Sequence, residues 1–175
     1  MFKFLSILFI IIICGCNQTI ISDFQNGHRC YIEKNITIFE NQLYPFTFSD
    51  FHKERIIKYF NKNTLIDSGF NLTARGDSIK FYRFYNDDSR VIFDGFPANK
   101  IFNIAVLELN SDLFRFKNGI RIGIAKMDFF NTLELDESNC DTVDIMDIKR
   151  QKGYYFRFVF KNDILKSIRR EYIHG

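Results

Sequence analysis

Few side chains in this chain have the spacing that catalysis or metal binding requires. The three histidines, His28, His52 and His174, lie far apart, and none has a ligand-type side chain one helical turn further along. The sequence has no Gly-x-Ser-x-Gly nucleophile motif, no phosphate-binding loop and no Gly-x-Gly-x-x-Gly turn. It therefore predicts no metal site, no cofactor and no catalytic residue.

Carboxylates are the remaining candidates for chemistry. Asp94, Glu108, Glu134 and Asp136 could supply a pair that hydrolyses a substrate across a cleft. The acidic stretch from Glu134 to Asp147 lacks the Asp-x-Asp-x-Asp-Gly spacing of a calcium loop. Because most domains of this size contain such carboxylates, a cryptic hydrolase is only the third interpretation of the chain.

The cysteines indicate a different kind of chemistry. Cys14 and Cys16 end an apolar run that begins at Phe4, follows the positive charge of Lys3 and is interrupted by Ser6. This arrangement is typical of a secretory signal peptide. As a helix the run would measure about 16 Å, roughly half the hydrocarbon thickness of a bilayer, so it is too short to span a membrane.

The tetrad Ile13-Cys14-Gly15-Cys16 resembles the lipobox of bacterial lipoproteins. The resemblance implies cleavage before Cys16 and a diacylglycerol thioether on its sulfur. Two or more acyl chains hold a protein stably on a bilayer, so a multiply acylated Cys16 would replace a spanning helix. The family's inner-membrane retention signal is an Asp after the cysteine, so Asn17 implies the outer membrane. The alternative is an ordinary signal peptide that is cut elsewhere.

Cys30 and Cys140 remain in the exported part of the chain. An oxidising compartment favours one disulfide between them, which would close a loop of about 110 residues and stabilise the fold by less than about 5 kcal/mol. The alternative is two separate buried thiols. The distance between their Cα atoms decides between the two.

We divide the chain into three parts. Residues 1–15 are the signal peptide, residues 16–28 are the lipidated cysteine and a polar tether, and residues 29–175 are a single domain. The 24 basic and 21 acidic side chains are nearly balanced, which argues against a nucleic-acid partner.

Hydrophobic periodicity predicts the elements of this domain. We expect an extended segment over residues 30–39, a helix over residues 49–61 and a second short helix after Gly123. The predicted strands cover residues 79–85, 90–93, 101–109, 142–148, 154–160 and 164–173. Polar turns at residues 86–89 and 161–163 would close two hairpins, and residues 113–116 would pair back onto 101–109.

The predicted fold class is α+β: a mainly antiparallel sheet with two short helices packed on one face, preceded by the signal peptide and the tether. Strand 154–160 alternates, with Tyr155, Arg157 and Val159 on one face and aromatic residues on the other. Tyrosine is favoured at protein and carbohydrate interfaces. The candidate interaction aromatics are Tyr82, Tyr85, Tyr154 and Tyr155. Alternatively, these tyrosines line the rims of the sheet.

Residues 119–130 and the later segment 155–165 resemble a pattern of small bacterial envelope lipoproteins, among them the SmpA/OmlA-type assembly lipoproteins and the wider β-lactamase-inhibitor-like folds. That pattern opens a helix with Gly-Met-Ser/Thr-x-x-Glu and closes the sheet with a strand hairpin. Here Ala125 replaces the capping Ser or Thr, while Asp128 keeps an acidic group in the first turn. The resemblance implies a non-catalytic protein that binds another envelope protein.

We therefore expect a lipid-anchored protein of the bacterial cell envelope that acts as a non-catalytic binding or assembly module. The membrane is its partner through acylated Cys16, and another envelope protein is its second partner. The alternative function is binding of a glycan or a small molecule. A flat face favours a protein partner, a deep pocket with convergent polar groups favours a ligand, and clustered carboxylates with perturbed pKa values favour an enzyme.

Overall fold

The computed structural model describes residues 20–22, 29–34, 36–46, 52–96, 101–146 and 153–172. The predicted signal peptide, Cys16 and most of the predicted tether lie outside these residues. Within the described ranges, no helix is long and apolar enough to cross a membrane.

Nine strands form one mixed sheet, so β structure dominates the described part of the chain. Every pair of neighbouring strands is antiparallel except β2 and β7, which are parallel. The order of the strands across the sheet is β1-β2-β7-β8-β9-β6-β5-β4-β3. Their bounds are β1 Ile20–Ser22, β2 Arg29–Glu33, β3 Leu65–Leu72, β4 Ser78–Tyr85, β5 Arg90–Phe96, β6 Ile101–Leu109, β7 Thr142–Met146, β8 Tyr154–Lys161 and β9 Ile164–Tyr172.

Among the described residues, three short α-helices accompany the sheet: α1 (Ile36–Leu43), α2 (Lys53–Ile56) and α3 (Lys126–Thr132). Helix α3 confirms the helix predicted after Gly123. Its N-cap is Ala125, which makes no side-chain capping hydrogen bond, and Asp128 lies in its first turn. The acidic side chain favours this end of the helix because it interacts with the unpaired amide groups there.

The two predicted hairpins are confirmed by the strand pairing. In the β8–β9 turn, Asn162 and Asp163 have φ values of 52° and 56°. A two-residue turn with two positive φ angles follows the right-handed twist of the flanking strands, and Asn and Asp tolerate this conformation better than most residues. In the β4–β5 turn, the side-chain oxygen of Asn86 accepts hydrogen bonds from the amides of Asp88 and Ser89.

The prediction of an extended segment over residues 30–39 is wrong beyond Glu33. Strand β2 ends there, and α1 begins at Ile36. The buried side chains Ile36, Phe39 and Leu43 have the spacing of a helical face. The apolar residues after β2 therefore follow a period of 3.6 rather than the period of two that we assigned to them.

Two other segments also differ from the prediction. The helix expected over residues 49–61 is the four-residue α2 followed by a 3-10 turn at Ile57–Tyr59, and residues 49–51 lie outside the described residues. Residues 113–116 do not pair with β6, because β5 and β9 already occupy its two edges. Phe114 instead forms a bridge with Phe60. Strand β3 is not predicted by the sequence, because its exposed edge carries no clear alternation.

One face of the sheet carries a core of phenylalanine rings. Phe156 and Phe158 of β8 are fully buried on this face. The ring of Phe39 in α1 lies 5.3 Å from Phe156, and the ring of Phe129 in α3 lies 4.8 Å from Phe158, measured between centroids. Burying each such side chain contributes about 2–3 kcal/mol. We call this the aromatic face, and the opposite one the open face.

Two groups of strands meet at a short junction between β6 and β9. The junction has two residue pairs, Glu108 with Arg169 and Leu109 with Ile168. Next to it, the guanidinium of Arg170 donates a hydrogen bond to the carbonyl oxygen of Ile104 and lies 3.7 Å from the ring centroid of Tyr154. The Arg170 side chain thus connects β9 to β6 beyond the point where their backbone pairing ends.

Cys30 and Cys140 form a disulfide, with their Cα atoms 5.8 Å apart. This is the first of the two alternatives that the sequence leaves open. The bridge spans 110 residues and joins β2 to the segment that precedes β7. It therefore lies next to the pairing of β2 with β7, two strands that are neighbours in the sheet but distant in the chain.

Strand β1 lies within the segment of the predicted tether. Residues Ile20–Ser22 pair antiparallel with β2. The cause is the outer edge of β2, whose amide and carbonyl groups favour pairing with a further strand.

We expect Cys140→Ser to lower the free energy of unfolding by roughly 3–5 kcal/mol, because the variant loses the restraint on a loop of more than 100 residues in the unfolded state. Urea unfolding of the variant and of the oxidised wild type measures the difference. Reduction of the wild type should produce the same loss. An unchanged unfolding midpoint on reduction would contradict the structural role of the bridge.

Candidate functional site

A row of directly paired residues crosses the open face of the sheet. Each member is the cross-strand partner of the next, from β2 at one side to β3 at the other. The members are Tyr31, Asp144, Arg157, Arg169, Glu108, Arg90, Tyr85 and Leu65. Side chains directly opposite each other in a sheet are close enough to interact, so we treat this charged row as the framework of the candidate site.

Asp144 is the centre of the row's first half. Its side chain is 0% exposed, and both of its oxygens accept hydrogen bonds from arginines. Arg29 donates its Nε hydrogen to Oδ2 over 2.8 Å, and Arg157 donates its Nε hydrogen to Oδ1 over 2.9 Å. A buried carboxylate is stable only when it is paired in this way, so Asp144 fixes the positions of both guanidinium groups.

Tyr155 and Glu171 extend this cluster on the next row of the open face. The Tyr155 hydroxyl donates to Oε2 of Glu171 over 2.5 Å and accepts a hydrogen bond from Arg157 over 2.7 Å. Partial burial and the hydrogen bond to Glu171 raise the pKa of Tyr155 to about 12. The tyrosine therefore stays protonated over the physiological range and acts as a fixed donor.

The second half of the row has its own ion pairs. Arg90 donates to Glu108 over 2.7 Å. On the neighbouring row of the same face, Nη1 of Arg83 lies 3.7 Å from Oδ2 of Asp67 near the β3 edge. A groove of about 420 Å³ runs beside Arg83, Tyr85 and Arg90. These pairs are more exposed than Asp144, so each contributes about 1 kcal/mol or less to stability and mainly orients the side chains.

A second groove, which we call the arginine groove, lies beside Asp144. Its volume is about 380 Å³. The floor is formed by small side chains that are successive cross-strand partners, Thr142, Val159 and Ser167. The walls carry Arg29, Arg157, Arg169 and Glu171.

The four candidate tyrosines lie on different faces of the sheet. Tyr85 and Tyr155 belong to the open face, whereas Tyr82 packs against the core on the aromatic face. Tyr154 is also on the aromatic face, and its hydroxyl donates to Oε2 of Glu40 over 3.1 Å. The four side chains therefore do not form one aromatic patch.

The four candidate carboxylates are not assembled into a pair. Asp94 and Glu108 both lie on the open face but are far apart along the strands. Glu108 is paired with Arg90, and Asp94 lies four residues after Arg90 in β5, a spacing of about 13 Å. Partial burial raises the pKa of Asp94. Glu134 and Asp136 are exposed in the loop after α3.

The structure describes one of the three candidate histidines. His52 is exposed at the start of α2, and His28 and His174 lie outside the described residues. Within the described part of the chain, no group of three or more His, Cys, Asp and Glu side chains could hold a metal ion.

Sequence reasoning missed the central residues of the row. One signal was available, because Asp144 is a carboxylate inside an otherwise apolar strand and must be paired when buried. The alternation of β8 also places Arg157 on the open face. Nothing local indicates Arg29 as the partner, since it reaches Asp144 across 115 residues.

Comparisons with protein-family models, curated protein sequences and solved structures find no match for this chain.

We expect Asp144→Asn to lower the free energy of unfolding by about 3 kcal/mol, because it leaves two arginines around a neutral buried group. The matched control is Asp67→Asn, which breaks an exposed pair and should cost less than about 1 kcal/mol. Urea unfolding measures both. Equal losses in the two variants would show that Asp144 does not organise the open face.

Proposed function

We propose that this protein is a lipid-anchored component of the bacterial cell envelope that acts as a non-catalytic binding or assembly module. Acylated Cys16 holds it at the outer membrane, and another envelope protein is its partner. The resemblance of residues 13–16 to a lipobox supports the anchor. The observation that carries the binding role is the charged row on the open face, which extends from β2 to β3.

The charged side chains of the open face are held in fixed positions by their ion pairs, which supports this role. Asp144 fixes Arg29 and Arg157, and Glu108 fixes Arg90, before any partner is present. Side chains that are already held lose less conformational entropy on binding. The fixed order of positive and negative groups along the row, from Asp144 to Arg90, also selects a partner with the complementary pattern, which favours a protein surface.

The proposed layering leaves the open face accessible. We place α1 and α3 together on the aromatic face, as two short helices packed on one side of an α+β sheet. The contacts of Phe39 and Phe129 with neighbouring rings of β8 support this arrangement. The opposite side of the same strands is then left for the partner.

Binding of a small ligand is the second candidate function. The arginine groove supports it, because polar side chains from β2, β7, β8 and β9 converge on a depression in the open face.

We expect Cys16→Ala to abolish incorporation of labelled fatty acid and to release the protein from the membrane fraction, because no acyl chain can be attached. Metabolic labelling and membrane fractionation measure the two effects. Cys30→Ser is the matched control, since it removes a different cysteine and should leave labelling intact. Membrane retention of the Cys16→Ala protein would contradict the anchor.

We expect a photo-crosslinking amino acid at Arg90 to form one defined adduct in the cell, because this position lies on the charged row. Met127 in α3 is the matched control, since both residues are exposed and Met127 lies away from the row. Electrophoresis and mass spectrometry identify the adduct. The same adduct in equal yield from both positions would contradict binding through the open face.

A further inference from the structure

The arginine groove contains a pair of like charges that its own residues do not balance. Arg157 and Arg169 are direct cross-strand partners on the open face. Like charges in this position destabilise an antiparallel pair. Arg157 is compensated by Asp144 and by Glu171, which lies 2.8 Å from its Nη1 atom.

Arg169 differs from Arg157 in its surroundings. Among the described residues it forms no ion pair. Its other cross-strand neighbour, Glu108, is bonded to Arg90. The guanidinium of Arg169 is exposed beside the groove and carries a charge that the fold leaves available.

Ser167 provides a second, independent observation. The residue is 9% exposed, and its hydroxyl oxygen has no hydrogen-bond partner among the described residues. Ser167 lies two positions before Arg169 in β9, on the same face, and forms part of the groove floor. A buried hydroxyl without a partner is costly, and such groups in a native protein indicate a missing ligand or water.

We propose that the arginine groove binds the phosphate group of a phosphate ester, with Arg169 and Ser167 as its principal contacts. Arg169 offers planar N–H donors from the wall, and the hydroxyls of Ser167 and Thr142 offer donors from the floor. Donors from two directions match a tetrahedral oxyanion better than a flat carboxylate, which has two oxygens. The bound anion neutralises Arg169 and supplies the partner of Ser167.

This inference deepens the proposed function and rests on it in one respect, because it assigns a ligand class to the same open face. The volume of about 380 Å³ has room for the phosphate and the first atoms of its ester group. The ester belongs either to a lipid headgroup or to a small soluble molecule. Both present the same phosphate chemistry to the groove.

The test is calorimetric titration of the full chain in nonionic detergent with inorganic phosphate and with glycerol 1-phosphate. We expect saturable binding that Arg169→Gln weakens about ten-fold, the effect of one charged hydrogen-bonding group. Arg75→Gln is the matched control, because Arg75 is an exposed arginine in the β3–β4 turn, and it should leave the affinity unchanged. Acetate should bind more weakly than phosphate.

The stability of the variants separates a binding role from a structural one. Arg169→Gln removes a like charge next to Arg157 and should not lower the melting temperature. Ser167→Ala removes a buried hydroxyl that has no partner, so it should raise the melting temperature of the ligand-free protein by about 2 °C while weakening phosphate binding. A purely structural Ser167 would instead lower the melting temperature and leave binding unchanged.

A second titration identifies the source of the phosphate. If the ligand is a lipid headgroup, the protein should bind nonionic micelles that contain phosphatidic acid more tightly than glycerol 1-phosphate. If the ligand is a soluble ester, the two affinities should be equal. Absence of saturable binding in every titration, or equal weakening by Arg169→Gln and Arg75→Gln, would overturn the proposal. Neither result would affect the Cys16 labelling or Arg90 cross-linking experiments, so failure here is distinguishable from failure of the proposed function.

Discussion

The junction between β6 and β9 is the constraint on which the rest of the structure depends. Two residue pairs join the β3–β6 meander to the group of strands formed by β1, β2, β7, β8 and β9. Arg170 strengthens the junction through the carbonyl oxygen of Ile104 and the ring of Tyr154. One of the junction pairs is Glu108 with Arg169, so the charged row passes from one group of strands to the other at this point. A shift in the junction would move the groove and the second half of the row apart.

The period of two in the strands lets the same residues build a core and a binding surface. In β8, Phe156 and Phe158 are buried on the aromatic face, whereas Tyr155 and Arg157 belong to the open face. Because both faces share one backbone, the rigidity that the packed rings give to the strand also fixes the charged side chains. A change of register by one residue would place arginine in the core.

The sequence predicts those parts of the fold in which periodicity and turn chemistry agree. The β8–β9 hairpin follows from alternating residues and from Asn162-Asp163, and α3 follows from the apolar residues after Gly123. The sequence predicts the wrong period for residues 36–39 of helix α1, because a short apolar run is compatible with both helix and strand. The site was the least predictable part. Its central contact joins Arg29 to Asp144 through the parallel pairing of β2 with β7, and no local pattern determines such a pairing.

The parallel pairing of β2 with β7 also determines the order in which the molecule can assemble. Strand β2 lies near the beginning of the described chain, but its inner neighbour, β7, belongs to the last 35 residues. The same is true of β9, which lies next to β6 at the centre of the sheet. Contacts between distant parts of a chain form slowly, because the intervening loop must first be closed. A chain delivered from its N-terminus therefore cannot complete the sheet until its C-terminal hairpin has arrived. The β3–β6 meander pairs consecutive strands and can form earlier, so completion of the sheet is the step that waits for the C-terminal strands.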